Sequence, residues 1–310
     1  MKAIRAGKHV LLEKPSVANA IEAQVLFNLP ELSQPNAPVL LEGYHSQFLP
    51  SWALIRSLIE PQDVIYASSN AVLPWWLVGK ESSAFSYDLA GGNIISLGTY
   101  NLCALRLLFG SEPEECIECE TKGYTDGIHD KCDWEFRAKF RFPNGAIGEA
   151  SSSMKGGTIL KPSSVTTITW EVVIFDETLP TFQERVQTRE VTLWGLIHGT
   201  IWHRIDVTDN FIIRDRRDQR VIRKWQEKSS RKAYTFQEAG GEFVDLPGEP
   251  YWLSFRHQLE QFVNRVKGRR TVHWISGEDS VAQMRMIDMV YEKSGLGPRP
   301  TSAYVEAVKS

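Results

Sequence analysis

Short apolar runs alternate with amphipathic segments over the first 62 residues. In chain order they are 9–13 (HVLLE), 16–32, 37–45 (APVLLEGYH) and 50–60. The two apolar runs have the length of strands and are typical of a parallel sheet buried on both faces, whereas the other two segments have a helical period. Ser16 or Asn19 is the predicted cap of the first helix. This order predicts a parallel strand pair joined by a right-handed crossover.

From residue 63 onward the pattern changes to long extended segments rich in β-branched and aromatic residues. The predicted strands are 64–73, 114–124, 133–142, 146–154, 163–175, 190–208 and 210–215. Turn signals lie at 143–145 (PNG) and 209–211 (DNF). Many long strands joined by short turns predict one large, mostly antiparallel sheet.

Helical periodicity returns in three segments of this second region, 93–110, 252–268 and 276–295. Ser276, followed three residues later by Asp279, is the predicted cap of the last helix. The predicted fold class is therefore α+β, with a large open sheet, flanking helices and a small α/β unit at the N-terminus. We predict two domains, 1–62 and 63–310, and the final helices can pack back on the first.

Alternation along the predicted strand 190–208 separates its large side chains between two faces. Residues 194, 196, 198 and 202 share one face of such a strand, and His203 points to the other. Trp194, His198 and Trp202 are thereby predicted to lie on an interface. The strands HVLLE and VLLEGYH are expected to leave one edge unpaired, which either a partner subunit or a rearranged N-terminus covers.

Composition excludes several classes of function. The 310 residues are 42% hydrophobic and 24% charged, and the net charge of -3 gives no field that attracts nucleic acid or an anionic membrane. No apolar run is long enough for a transmembrane helix, and the N-terminus lacks the apolar core of a signal peptide. Four cysteines are typical of a reducing compartment, so a cytoplasmic location is expected.

The cysteine pair Cys116 and Cys119 (CIEC) has the spacing of metal ligands. It falls in a predicted strand, where residues three apart point to opposite faces, and no second pair accompanies it. We therefore predict no metal site.

The stretch 90–100 (AGGNIISLGTY) and four other segments carry a resemblance to a known family. The other segments are 6–15 (AGKHVLLEKP), 40–52 (LLEGYHSQFLPSW), 140–148 (FRFPNGAIG) and 277–296 (GEDSVAQMRMIDMVYEKSGL). Together they resemble the Gfo/Idh/MocA oxidoreductases, most closely the dimeric dihydrodiol dehydrogenase branch with its fungal relatives. The resemblance implies an N-terminal Rossmann domain that binds NAD(P), and a second domain whose open sheet forms a homodimer interface. The substrate lies between the two domains.

Three departures from the family pattern shape the functional prediction. No G-x-G-x-x-G occurs in the sequence, so the glycines and helix N-terminus that hold a pyrophosphate are missing and residues 1–62 resemble a Rossmann remnant. Ser96 stands where redox-active relatives have an acid, and Gln47 stands where they often have arginine. We therefore expect no bound cofactor.

Tyr100 and Lys14 are the predicted catalytic pair. Tyr100 is interpreted as a proton donor or a fixed donor to a substrate carbonyl, and a buried Lys14 is expected to lower the pKa of its phenol. The alternative is an inherited pair that only supports the core. The predicted substrate pocket comprises Trp75 and Trp76 as a lid, with Tyr44, His45, Gln47, Phe48, Trp52 and Ser96. The aromatic side chains among them either line this pocket or fill the former place of a nicotinamide.

Three functions remain open from the sequence. The first is a cofactor-independent cyclase or isomerase, with [4+2] cyclisation as one form, that acts on an apolar natural-product intermediate of fungal secondary metabolism. Conformational restraint alone can contribute up to about 7–11 kcal/mol to such a reaction. The second is an NAD(P)-dependent dihydrodiol or sugar dehydrogenase whose N-terminal third is missing from this chain. The third is a non-catalytic binding or assembly subunit.

Overall fold

The N-terminal part of the fold is a parallel strand pair with flanking helices. The computed structural model describes residues 1–302. The elements are α1 (Lys2–Arg5), β1 (Val10–Leu12), α2 (Ala20–Phe27), β2 (Leu40–Glu42) and α3 (Pro50–Leu58). β1 and β2 pair in parallel, with Val10 opposite Leu40, as predicted. Leu11 is 37% exposed, so the prediction of burial on both faces was wrong for β1. Of the two predicted caps, Asn19 is the one that accepts a hydrogen bond from the backbone of α2.

A nine-stranded sheet dominates the rest of the chain. Its strands are β3 (Val64–Pro74), β4 (Glu115–Gly123), β5 (Asp133–Arg141), β6 (Ile147–Gly156), β7 (Ser164–Thr169), β8 (Val172–Ile174), β9 (Gln183–Trp194), β10 (Arg204–Asp215) and β11 (Val221–Arg231). The order is β11-β10-β9-β7-β3-β6-β5-β4, and β8 pairs with β9. Only the β3–β6 pair is parallel among these described strands, which confirms the large, mostly antiparallel sheet.

Helices cover one face of this sheet. Those that pack on it are α4 (Asn93–Ser96), α5 (Gly98–Phe109) and α8 (Gly277–Ser294), whereas α6 (Phe236–Ala239) packs on α3 and α7 (Ser254–Val266) packs on the turn 45–48. Asn101 anchors α5 by donating to Ser69 Oγ of β3 at 3.1 Å. Ser276 and Asp279 form the predicted capping box of α8. The backbone amide of Ala20 in α2 donates to the Asp288 carboxylate of α8 at 2.8 Å, so the last long helix contacts both parts of the fold. The domain division at residue 62 remains a prediction.

The predicted strand 190–208 is interrupted by a loop. β9 ends at Trp194, the loop covers 195–203, and β10 begins at Arg204. Gly195 adopts φ +84°, and the carbonyl of Trp202 occupies the space that a Cβ would need there. Buried His203 closes the loop, because its ring nitrogens bond the Gly199 carbonyl and the Ala233 amide. The assignment of alternate residues 194–202 to one strand face was therefore wrong.

Other boundaries also differ from the predictions. The sequence 209–211 lies inside β10 and is no turn, because the chain reverses before β10, in the loop 195–203, and again after it, between β10 and β11. The segment 163–175 forms two strands, β7 and β8. The helix 93–110 is divided at Leu97, where Gly98 lies against the ring of Phe136. The hairpin turn at 143–145 is confirmed.

The two cysteines of CIEC lie on β4, but not on opposite faces. The register shifts between Cys116 and Glu118, so that Cys116 is opposite Phe140 and Cys119 is opposite Ala138. Phe140 and Ala138 are two residues apart on β5 and both are buried, so the bulge turns both thiols to the same side. Between residues 1 and 302, no three His, Cys, Asp or Glu side chains are grouped as metal ligands.

Among the described residues, no helix combines the length and apolar character needed to cross a membrane.

Candidate active site

Four of the predicted site residues meet where β1 and β2 end and α5 begins. The Lys14 ammonium donates a hydrogen bond to the Ser96 main-chain carbonyl at 2.6 Å and lies 4.4 Å from the centre of the Tyr100 ring. His45 Nε2 lies 3.1 Å from the Tyr100 hydroxyl oxygen. Local sequence explains the arrangement, since Lys14 follows β1, His45 follows β2, and Tyr100 occupies the first turn of α5. We call these residues the Tyr100 cluster: Lys14, His45, Ser96 and Tyr100.

Burial controls the protonation of this cluster. Loss of water contact raises the pKa of the Tyr100 phenol, and the nearby carboxylate of Glu13 adds to the rise. The expectation that Lys14 lowers this pKa was wrong, because burial outweighs the ammonium charge. Burial also lowers the pKa of Lys14 to about 8. Burial, followed by the charge of Lys14, lowers the pKa of His45 to about 4.

His45 is neutral near pH 7 and holds a defined position. Its ring lies 4.2 Å from that of Phe255 in α7, measured between centroids. Its Nδ1 atom is buried and has no hydrogen-bond partner among the described residues. When Nε2 carries the ring proton, His45 donates to the Tyr100 oxygen and leaves the phenolic O–H for a substrate. Phe255 was not found from the sequence, because no motif links α7 to His45.

Gln47, Tyr44 and Phe48 form a separate buried group. The Gln47 side chain donates to Cys103 Sγ at 2.6 Å and accepts from His273 Nε2 at 2.7 Å. Tyr44 and Thr99 share a hydroxyl hydrogen bond of 2.8 Å, and Phe48 is fully buried. A cavity of about 200 Å³ lies beside this group. Both polar atoms of the Gln47 side chain thus have a partner away from the Tyr100 hydroxyl.

The predicted tryptophans are placed in different environments. Trp75 and Trp76 follow β3 and are 59% and 56% exposed. The Trp76 indole donates to the Thr158 carbonyl at 3.1 Å, which fixes it against the loop that precedes β7. Trp52 is 2% exposed and belongs to the main hydrophobic core. Their part in substrate binding remains a prediction.

The double glycine before α4 has a packing role. Gly92 has φ +142°, and a Cβ there would lie 2.5–2.6 Å from side-chain atoms of Arg299, Asp133 and Tyr291. Arg299 and Asp133 are fully buried with 3.5 Å between their charged groups, and Asp133 also accepts the Ile94 amide of α4. The glycine therefore allows a buried ion pair to fix the start of α4, the element that leads to Tyr100.

The known proteins that this chain is similar to are dehydrogenases and reductases. No family model matches the chain. A D-xylose 1-dehydrogenase (NADP(+)) of Haloferax volcanii is 24% identical over 292 residues, which cover 94% of this chain and 72% of that protein. The dTDP-3,4-didehydro-2,6-dideoxy-alpha-D-glucose 3-reductase of Streptomyces violaceoruber is 32% identical over 114 residues, which cover 36% of this chain and 32% of the reductase. Levoglucosan dehydrogenase, solved with NADH, has the same fold, with a TM-score of 0.65 and 16% identity over 97% of this chain and 76% of that one.

These matches overturn the prediction of a cofactor-independent cyclase. Dehydrogenases align with almost the whole chain, so the predicted non-redox cyclisation, including its [4+2] form, was wrong. That prediction relied on the missing glycine-rich motif, although the chain spans only 72% of the matched dehydrogenase. It also relied on Ser96 and Gln47. Yet the main-chain carbonyl of Ser96 holds Lys14 beside Tyr100, and Gln47 bonds elsewhere.

Proposed function

The relatives and structural neighbours of this chain are Gfo/Idh/MocA-type oxidoreductases, and from that premise we propose that it serves a nicotinamide-dependent carbonyl reduction or the reverse alcohol oxidation. The substrate group is the hydroxyl or carbonyl of a sugar or cyclic diol. The sugar is suggested by the names of the matched proteins above, and the cyclic diol by a match to trans-1,2-dihydrobenzene-1,2-diol dehydrogenase of Sus scrofa, 23% identical over 49% of this chain and 43% of that protein. The observation that carries the proposal is the Tyr100 hydroxyl, 3.1 Å from His45 Nε2 and beside the Lys14 ammonium.

The described residues fit one end of the cofactor. Ligands of parallel α/β units bind outside the carboxyl ends of the strands, where Lys14 and His45 follow β1 and β2. The unpartnered Nδ1 of His45 offers a polar contact there. Diphosphates need backbone amides at a glycine-rich turn before a helix. The turn at Gly92 is filled by Arg299 and precedes a helix of four residues, so residues 1–302 fit the nicotinamide end and not the diphosphate.

Proton transfer is the part of the reaction that these side chains perform. The nicotinamide end of a cofactor, when bound beside these residues, would supply the chemistry of hydride transfer to a carbonyl carbon. Tyr100 donates its phenolic proton to the carbonyl oxygen as that oxygen takes the electron pair of the broken π bond, which yields the alcohol. The raised pKa of Tyr100 keeps the phenol protonated at neutral pH, so its resting state is that of a proton donor and not of a base. Lys14, still cationic below about pH 8, stabilises the resulting phenolate.

A turnover assay with matched tyrosine variants tests the proposal. The probes are D-xylose, levoglucosan and trans-cyclohexanediol with NADP⁺, and the matching ketones with NADPH or reduced nicotinamide mononucleotide. Tyr100→Phe is expected to lower kcat by about 10²–10⁴-fold with little change in KM, because a general acid acts mainly in the transition state. Tyr66→Phe is the control, since that hydroxyl bonds Glu149 on the uncovered sheet face. Equal kcat values for both variants would contradict the role of Tyr100.

A further inference from the structure

A second cavity, which no sequence motif indicated, lies at one end of the large sheet. It has a volume of about 190 Å³ and is formed by the end of β3, the loop before β7 and the loop after β9. Its main apolar walls are Val72, Leu73, Leu160, Ile201 and Trp202, with His198 at one side. We call it the apolar cavity.

Three side chains of the apolar cavity expose large apolar surfaces. Leu160 is 58% exposed, Ile201 is 77% exposed and Trp202 is 40% exposed. Single exposed apolar residues need no explanation, but a concave group of them is typical of a binding site. The polar groups at its wall are few, namely Lys161, Ser163 and His198 together with backbone atoms. A ligand with many hydroxyls would lose hydrogen bonds to water here without replacement.

The walls of the apolar cavity begin close to the Tyr100 cluster. On one side, Asn101 bonds Ser69, and β3 continues from Ser69 into the cavity wall. On the other side, a Cβ at Gly199 would lie 3.2 Å from Leu49, so the loop that carries His198 packs where the His45 turn ends.

We propose that the apolar cavity binds a ring or alkyl flank of the substrate while its carbonyl or hydroxyl lies at Tyr100. This inference rests on the proposed function and narrows its substrate class. An apolar cavity of about 150 Å³ holds one benzene ring in another protein, so this volume suits a single ring. The favoured substrate is therefore a cyclic alcohol or ketone with an unsubstituted apolar side, rather than a fully hydroxylated sugar.

Titration with para-fluorobenzyl alcohol, followed by fluorine-detected NMR, tests the inference on the whole chain without any turnover. Trp202→Ala and Leu160→Asn are expected to weaken binding of this probe about tenfold, because each removes apolar contact surface. The matched controls are Trp170→Ala and Ile159→Asn, whose side chains are 50% and 76% exposed and do not line the cavity. All four positions are on the surface or at the cavity mouth, so the variants are expected to fold.

The two proposals fail in different ways. Equal affinity of the probe for the cavity variants and the controls, or no binding to the unsubstituted protein, would overturn the inference. Cavity-dependent binding without any hydride transfer would support an apolar ligand site and contradict the proposed function. Turnover of D-xylose at a rate equal to that of trans-cyclohexanediol would contradict the narrowed substrate class while leaving the proposed function in place.

Discussion

Lys14 and Tyr100 are both half-buried, and the partial loss of water contact shifts the pKa of each. Burial disfavours the charged form of each group, so it raises the pKa of the phenol and lowers that of the ammonium to about 8. At neutral pH the pair is therefore a protonated tyrosine beside a lysine that still carries its charge. This state suits proton donation to a carbonyl oxygen.

Replacement of Lys14 by methionine should change how stability depends on pH. The pKa of Lys14 is about 8 in the fold against 10.5 when unfolded, so between these values the unfolded chain binds the extra proton and stability rises with pH. The full shift corresponds to about 3 kcal/mol, and partial exposure reduces it to about 1–2 kcal/mol. The natural chain also holds buried thiols and phenols whose raised pKa values lower stability as pH rises, so Lys14 is seen in a difference. In urea unfolding, the free energy of unfolding of the natural chain minus that of Lys14→Met should rise from pH 8 to 10.5, whereas the same difference for exposed Lys8→Met should stay constant. If the free energy of unfolding of Lys14→Met depended on pH as that of the natural chain does, the lowered pKa of Lys14 would be contradicted.

Sequence motifs identified the residues of the Tyr100 cluster but not their contacts. Tyr100 and Lys14 stand in recognisable segments, and the structure brings them together. The contribution of Ser96 comes from its backbone carbonyl, which a side-chain comparison does not reveal. The direction of the Tyr100 pKa depends on burial, which is a property of the packed fold. The sequence therefore pointed to residues that the structure brings together, and it led to a wrong conclusion about the reaction, while their role as a site remains a prediction.

Helices and strands were predicted well where the hydrophobic periodicity extends over many residues. They were predicted poorly where a single backbone contact sets the end of an element. The helix α8 and its cap follow directly from the sequence 276–295. The strand 190–208 was predicted whole because its composition is uniformly β-forming, yet Gly195 with φ +84° ends it. The bulge beside Cys116 reversed a face assignment in the same way. Such features depend on the neighbouring strand, which local periodicity does not contain.

Substitution of Gly92 by alanine should disrupt the start of α4. The alanine would have to adopt the strained φ of +142°, and its Cβ would collide with the buried side chains of Arg299, Asp133 and Tyr291. We expect a loss of about 4 kcal/mol in the free energy of unfolding, from backbone strain and overpacking together. Gly157→Ala is the control, because nothing lies within 4 Å of its Cβ position. Urea denaturation measures the free energy of unfolding of both variants. Equal values for the two would contradict the packing role of Gly92.

At the scale of the whole molecule, the sheet has one face under helices and one that is free of them in the described chain. Thr166 lies opposite Ser68 and shares a hydrogen bond of 2.8 Å with Thr192 on the uncovered face. Asn70 and Ser151 form a similar polar pair nearby. The predicted homodimer would use this face, and its polar character suits an interface with many hydrogen bonds. Homodimerisation and cytoplasmic location remain predictions.

A charge at the centre of the uncovered face should separate such a dimer. Light scattering after size-exclusion chromatography is expected to give the mass of two chains for the natural protein and of one chain for Thr166→Lys, because a lysine there would be buried without a partner. Ser57→Lys, on the exposed side of α3, is expected to retain the dimer. A natural protein with the mass of one chain, or a dimeric Thr166→Lys, would contradict this use of the sheet.

The transfer of deuterium from cofactor to product is the most direct test of whether this chain serves nicotinamide-dependent hydride transfer. The protein is incubated with a ketone substrate and with dihydronicotinamide cofactor that carries deuterium at its transferable position, and the alcohol is analysed by mass spectrometry. If the chain serves hydride transfer, we expect an alcohol with one deuterium on its carbinol carbon. Tyr100→Phe is expected to form this alcohol at least about 100-fold more slowly. Product that forms without deuterium, or without any oxidation of the cofactor, would show that the chain does not serve hydride transfer.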